Sequence, residues 1–171
     1  MEIYLVRHAE ALDATEGLAD ELRYLTRRGR KDAAKLARRL KKHHVRPGRI
    51  ISSPLVRAVQ TAELLAAEIG SDTLVTATVA LSPGASAEAL MALICQTDTP
   101  KSLLLVGHEP QLSHLAALLL GFEHIAPLAK GSCLALSVKP DQADKRAAFN
   151  WYAPVGGKLV TSQRKALIRP A

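Results

Sequence analysis

Residues 3–11 read IYLVRHAEA. Four consecutive apolar side chains, Ile3 to Val6, do not suit a strand with one wet face, which alternates apolar and polar residues. They suit a strand covered by helices on both faces, as in sheets built from strand–helix–strand units. This run passes directly into Arg7 and His8, with Glu10 two positions later. In covered sheets ligands bind just beyond the carboxyl ends of the parallel strands. The abrupt change from an apolar run to a cation and an imidazole marks such an end.

Outward from this stretch the pattern alternates. Thr26 reads as the N-cap of a helix over RRGRKDAAKLARRLKKHH, in which Ala33, Leu36, Ala37 and Leu40 form an apolar stripe and Gly29 is a mild cost. RIISS (49–53) is a short strand. The helix after it has Pro54 in its first turn and Gly70 at its stop. Residues 73–81 read as extended, 86–96 as a helix opened by Ser86, and SLLLVG (102–107) as a second fully apolar strand. Pro110 starts a further helix with Leu112, Leu115, Ala116 and Leu119 facing inward. Two strands, SCLALSV (132–138) and AAFNWYAP (147–154), follow with only the polar turn KPDQADKR (139–146) between them. The expected fold is a three-layer α/β/α sandwich. Its sheet should be mixed and mostly parallel, antiparallel in its C-terminal portion, within one domain spanning 1–171.

The chain has 171 residues, 48% of them hydrophobic, and a mean hydropathy near zero, the profile of a globular domain. No apolar run approaches the ~20 residues of a membrane helix, and the N-terminus enters a strand without a signal-like core. Cys95 and Cys133 sit in separate apolar contexts and read as buried free thiols, which indicates a cytoplasmic protein. The net charge of +7 is uneven: residues 27–49 carry eleven Lys and Arg against one acid, Asp32. That helix is either a solvated face or a surface that attracts an acidic partner. Aromatic residues make up only 4% of the chain and do not interleave with it, so stacking on nucleic acid is not supported.

His8 and His108 both end apolar strands, and Arg57 lies in the first turn of the helix after RIISS. If the two strands are neighbours, both histidines and both arginines, Arg7 and Arg57, share one sheet edge. Guanidiniums there would repel a metal ion, and no Ser-His-Asp order stands out, so neither a metal site nor acyl transfer is expected. The group does suit a phosphoryl, whose oxygens match guanidinium forks and which a histidine can attack. His43, His44, His114 and His124 lack metal-site spacing.

LVRHAEA resembles the Arg-His-Gly signature of the histidine phosphatase (phosphoglycerate mutase-like) superfamily, with Ala9 in place of the usual glycine. SSPLVRAVQTAELLA and LLLVGHEPQLSHL resemble its second and third motifs. The short chain, RYLTRRGR, GSCLAL and FNW are most similar to the SixA-type phosphohistidine phosphatases. The resemblance implies that His8 is the nucleophile, that Arg7 and Arg57 clamp the phosphoryl oxygens, and that a protonated His108 donates to them. No cofactor is implied. Ester-cleaving members carry a carboxylate general acid after the third strand, where this chain reads VALSPGASAEAL with Pro83 about at that position and Glu88 nearest. Glu10 and Glu109 are either proton donors, with contacts to substrate, or partners that orient an imidazole or arginine. The implied activity is metal-independent removal of phosphoryl groups from phosphohistidine, on a protein phosphotransfer domain admitted by a site without a lid. Small phosphate esters or anhydrides are the alternative substrates, and a non-catalytic phosphate- or protein-binding module is a third reading. A phosphohistidine-bearing protein is the implied partner, with no nucleic acid or membrane.

Overall fold

The computed structural model describes residues 1–14, 16–95, 100–138 and 147–168. Along the chain run β1 (Glu2–Arg7), α1 (Arg27–Lys42), β2 (Arg49–Ser52), α2 (Val56–Ile69), β3 (Val75–Ala77), α3 (Ala87–Ile94), β4 (Ser102–Gly107), α4 (Gln111–Leu120), β5 (Cys133–Ser137), β6 (Ala148–Ala153) and α5 (Gln163–Leu167). The six strands form one sheet of order β3-β2-β4-β1-β5-β6. The pairs β2–β3, β2–β4 and β1–β4 are parallel, while β1–β5 and β5–β6 are antiparallel. This is the expected mixed sheet, parallel over β3, β2, β4 and β1 and antiparallel over β5 and β6.

Alternation along β1 explains its unbroken apolar run. Ile3 and Leu5 enter a core with Leu103 and Leu105 beneath α3 and α4. Tyr4 and Val6 enter the opposite core with Leu104 and Val106 beneath α1 and α2. Each helix presents a stripe to its core: Ala33, Leu36, Ala37 and Leu40 from α1, and Leu112, Leu115, Ala116 and Leu119 from α4, are all buried. Side chains at both faces of the central strands are therefore removed from water, at ~25 cal/mol per Å² of apolar surface.

The helix signals are realised locally. Thr26 Oγ1 accepts from the Gly29 N–H at 2.9 Å, Ser86 caps α3 through the Ala89 N–H, and Gly70 ends α2 with φ of 74°. Four expectations change. Pro54 lies ahead of the N-cap Leu55 rather than in the first turn of α2. The extended stretch over 73–81 reduces to β3, because the Thr78 side chain bonds the Ala80 N–H and winds Val79–Leu81 into a 3₁₀ turn. α3 ends at Ile94, so Cys95 lies beyond the packed stripe and is an exposed free thiol; only Cys133 is buried. The short α5 was not anticipated. Residue 96 and the turn over 139–146 lie outside the described residues. Among the described residues no helix is long and apolar enough to cross a membrane.

Candidate active site

The register of β1 against β4 pairs Arg7 with Gly107. One step further, the His8 N–H bonds the Gly107 carbonyl at 3.1 Å, and the next residue on that strand is His108. The two imidazoles therefore stand side by side, ring centroids 4.9 Å apart and tilted by 55°. β2 lies on the other side of β4, and the Ser53 N–H continues its ladder to Val106. This brings Ser53 Oγ to 2.9 Å from His108 Nε2 and starts α2 at the same edge, with Arg57 in its first turn. His8, His108 and Arg57 are 6%, 4% and 5% exposed.

Each side chain is held. His8 Nδ1 lies 2.7 Å from the Ala9 carbonyl. A carbonyl only accepts, so Nδ1 carries the proton and the lone pair resides on Nε2. The Ala9 N–H donates to Thr61 Oγ1, which donates to the Arg57 carbonyl at 2.7 Å, tying the His8 peptide to α2. Ala9 itself is fully buried and does not adopt a positive φ, so nothing at this position calls for glycine. Arg7 donates to the Leu128 carbonyl at 2.7 Å, while its Nε is buried with no hydrogen-bond partner.

The acids flanking the histidines are engaged elsewhere. Glu109 accepts from the Leu128 N–H at 3.0 Å and from Ser113 Oγ, so it braces the peptide on which Arg7 rests. Glu10 accepts from Thr26 Oγ1 at 2.7 Å and lies 3.7 Å from Arg28, which ties the site loop to the start of α1. Leu81 packs against Gly107, and the turn after it carries the exposed Pro83, with exposed Glu88 in the first turn of α3.

Burial lowers the His8 pKa to about 4, with Arg57 and Arg7 adding to the effect against the Ala9 hydrogen bond. His108 falls to about 3, again chiefly through burial, then through His8 and Arg57. Both shifts favour neutral imidazoles at pH 7. The protonated His108 that the resemblance implies belongs to a site carrying added negative charge, such as a phosphoryl group would bring.

Three partners of the site were not read from sequence. Ser53 and Thr61 are commonplace hydroxyls whose role depends on strand order and helix register. Asp20 lies in the 3₁₀ turn Asp20–Leu22 of the segment between β1 and α1, and its carboxylate meets Arg57 at 2.8 Å. The only sequence signal was an acid three residues before Arg23 in a stretch with no helical period. Among the described residues, no group of three or more His, Cys, Asp or Glu side chains could hold a metal ion.

The sequence model of the histidine phosphatase superfamily (branch 1) matches residues 3–81. An uncharacterized protein of Picosynechococcus sp. is 37% identical over 119 residues, which cover 68% of this chain and 71% of that protein. The fold is similar to that of the protein histidine phosphatase SixA complexed with tungstate, with a TM-score of 0.81 and 23% identity over 90% of this chain and 97% of the other. It is also similar to mycobacterial glucosyl-3-phosphoglycerate phosphatase, with a TM-score of 0.68 and 21% identity over 90% of this chain and 99% of the other. At these identities both likenesses are of fold.

Proposed function

Since the chain belongs to the histidine phosphatase superfamily, we propose that it is a metal-independent phosphatase acting on phosphohistidine through a phosphohistidine intermediate on His8. The observation that carries this reading is the packing of two neutral imidazoles beside Arg7 and Arg57 at one sheet edge. Nε2 of His8 attacks phosphorus; the N–P bond forms as the P–N bond of the substrate breaks, and that electron pair leaves with the substrate imidazole. Water then attacks phosphorus, the P–N electron pair returns to Nε2, and both protons of the water depart with the phosphate. Nδ1 keeps its proton throughout. Arg7 and Arg57 hold the oxygens, and His108, protonated as the dianion binds, donates where charge shifts in the transition state. Fixed cationic donors supply most of the catalysis in such transfers.

The P–N substrate class is favoured by the segment 79–87, which passes the end of β4 at Leu81 and holds no carboxylate. Expelling an alkoxide needs a proton in the transition state, worth ~10²–10⁴-fold, whereas a phosphohistidine carries its own protonatable ring. A protein substrate is supported by an open groove of about 650 Å³ along α1, lined by the four cations Arg27, Arg28, Lys31 and Lys35 against one acid, Asp32, with Val155 and Gly156 opposite. The groove adjoins the site, because Gly131, whose N–H bonds the His8 carbonyl, faces both Ala9 and Val155. A cytoplasmic setting accompanies this reading.

The test is kcat/KM for a phosphohistidine protein, a small phosphoramidate and 3-phosphoglycerate, with and without chelator. The P–N compounds should be turned over in chelator while 3-phosphoglycerate is barely touched. If 3-phosphoglycerate matches the phosphoramidate, another residue supplies the acid and the small-ester reading replaces this one. No turnover of any substrate leaves the non-catalytic module.

A further inference from the structure

We propose that Asp20 is a specificity-determining residue of this site: an anionic gate on Arg57 that a phosphoryl group must displace, and that then disfavours substrates with anionic leaving groups. The inference rests on the phosphatase reading and adds to it what selects among phosphorylated compounds. Arg57 is almost wholly buried, and both of its terminal nitrogens are turned to residue 20: one donates to the Asp20 carbonyl at 2.6 Å, the other to the Asp20 carboxylate at 2.8 Å. The fork that would clamp a phosphoryl group is thus filled by one carboxylate oxygen and one backbone carbonyl, and the first is the kind of anionic oxygen that a phosphoryl group offers.

The other carboxylate oxygen is held from outside by Arg23 at 2.7 Å, and Arg23 is in turn fixed to the Leu12 carbonyl at 2.6 Å. Asp20 therefore has an anchor that remains when Arg57 turns to a substrate. The displaced carboxylate stays beside the site rather than leaving with the segment.

Its charge reaches His108. The hydrogen bond from Arg57 holds the Asp20 carboxyl below its ordinary range, so it is anionic at neutral pH. At His108 that charge opposes the depression caused by burial. A negative charge held beside Arg57 repels a carboxylate-bearing leaving group and attracts an imidazole that is taking up a proton. For a half-exposed group this amounts to about three- to tenfold per unit of leaving-group charge.

Asp20→Asn keeps the shape and removes the charge, and the half-exposed position tolerates it. Wild type, D20N and D20E are compared on phosphoimidazole and 3-phosphoglycerate, and inorganic phosphate binding is measured by titration calorimetry. In D20N, phosphate should bind several-fold more tightly, and the phosphoimidazole to 3-phosphoglycerate ratio of kcat/KM should fall about three- to tenfold. D20E should restore both. An unchanged ratio with unchanged phosphate affinity overturns the proposal, as does an equal loss on both substrates, the signature of a merely structural role. If wild type does not cleave phosphoimidazole, the phosphohistidine reading fails, and the gate is then judged on phosphate affinity alone: tighter binding in D20N sustains it and unchanged binding removes it.

Discussion

With Nδ1 of His8 committed to the Ala9 carbonyl, replacing His8 by alanine removes the lone pair that the proposed reaction requires while leaving Arg7, Arg57 and His108 in place. His8→Ala should abolish turnover and retain inorganic phosphate binding. His108→Ala should lower kcat by ~10²-fold or more, the scale for one lost transition-state donor. Rapid quench with labelled substrate should trap acid-labile, base-stable phosphate on the wild-type protein; label on a serine or aspartate instead would sink the assignment. These residues were legible because each interrupts a strong pattern, a charged or aromatic nitrogen at the end of an apolar strand or in the first turn of a helix. Ser53, Thr61 and Asp20 interrupt nothing. Their contacts join residues far apart in the chain, such as Asp20 to Arg57 and Ser53 to His108.

At the level of elements, α1 is pressed against the loop that carries the nucleophile. A Cβ added to Gly29 would lie 1.9 Å from the Glu10 carbonyl oxygen. Helix propensity alone favours Gly29→Ala by ~1 kcal/mol, but this clash is with backbone and cannot be relieved by a rotamer. The helix or the site loop must move, so a net loss of about 1–3 kcal/mol is expected, together with reduced activity, because Glu10 follows His8 by two residues. Urea unfolding of the variant measures it, and a raised midpoint would show that the close approach does not constrain the fold. The stripe and cap of α1 were readable from its 3.6-residue period and Thr26. The demand for glycine was not, since it arises from the neighbour rather than from the helix.

For the molecule as a whole, two consequences follow from charge. His8 and His108 titrate near 4 and 3 when folded and near 6.5 when unfolded. Between these values the unfolded chain binds more protons, so stability should fall with pH by on the order of 1–3 kcal/mol per unit from about 6.5 toward 4. Thermal melts across this window test it: the slope should flatten in a double glutamine variant of the two histidines, and a flat wild-type profile would contradict their burial as neutral groups. The basic groove on α1 bears on association: rising salt should lower kcat/KM for a protein substrate more than for a small phosphoramidate, because surface steering is screened. Equal sensitivity would reduce α1 to a solvated face. The sequence by itself determined the covered sheet, the helix faces, and the chemistry at the strand ends, because apolar period, caps and breakers act over a few residues. Only the tertiary structure decided which strand ends are neighbours, that both imidazoles are neutral at rest, and that Asp20 occupies Arg57. Strand order, desolvation and long-range ion pairing depend on what packs against a residue, and no local pattern encodes that.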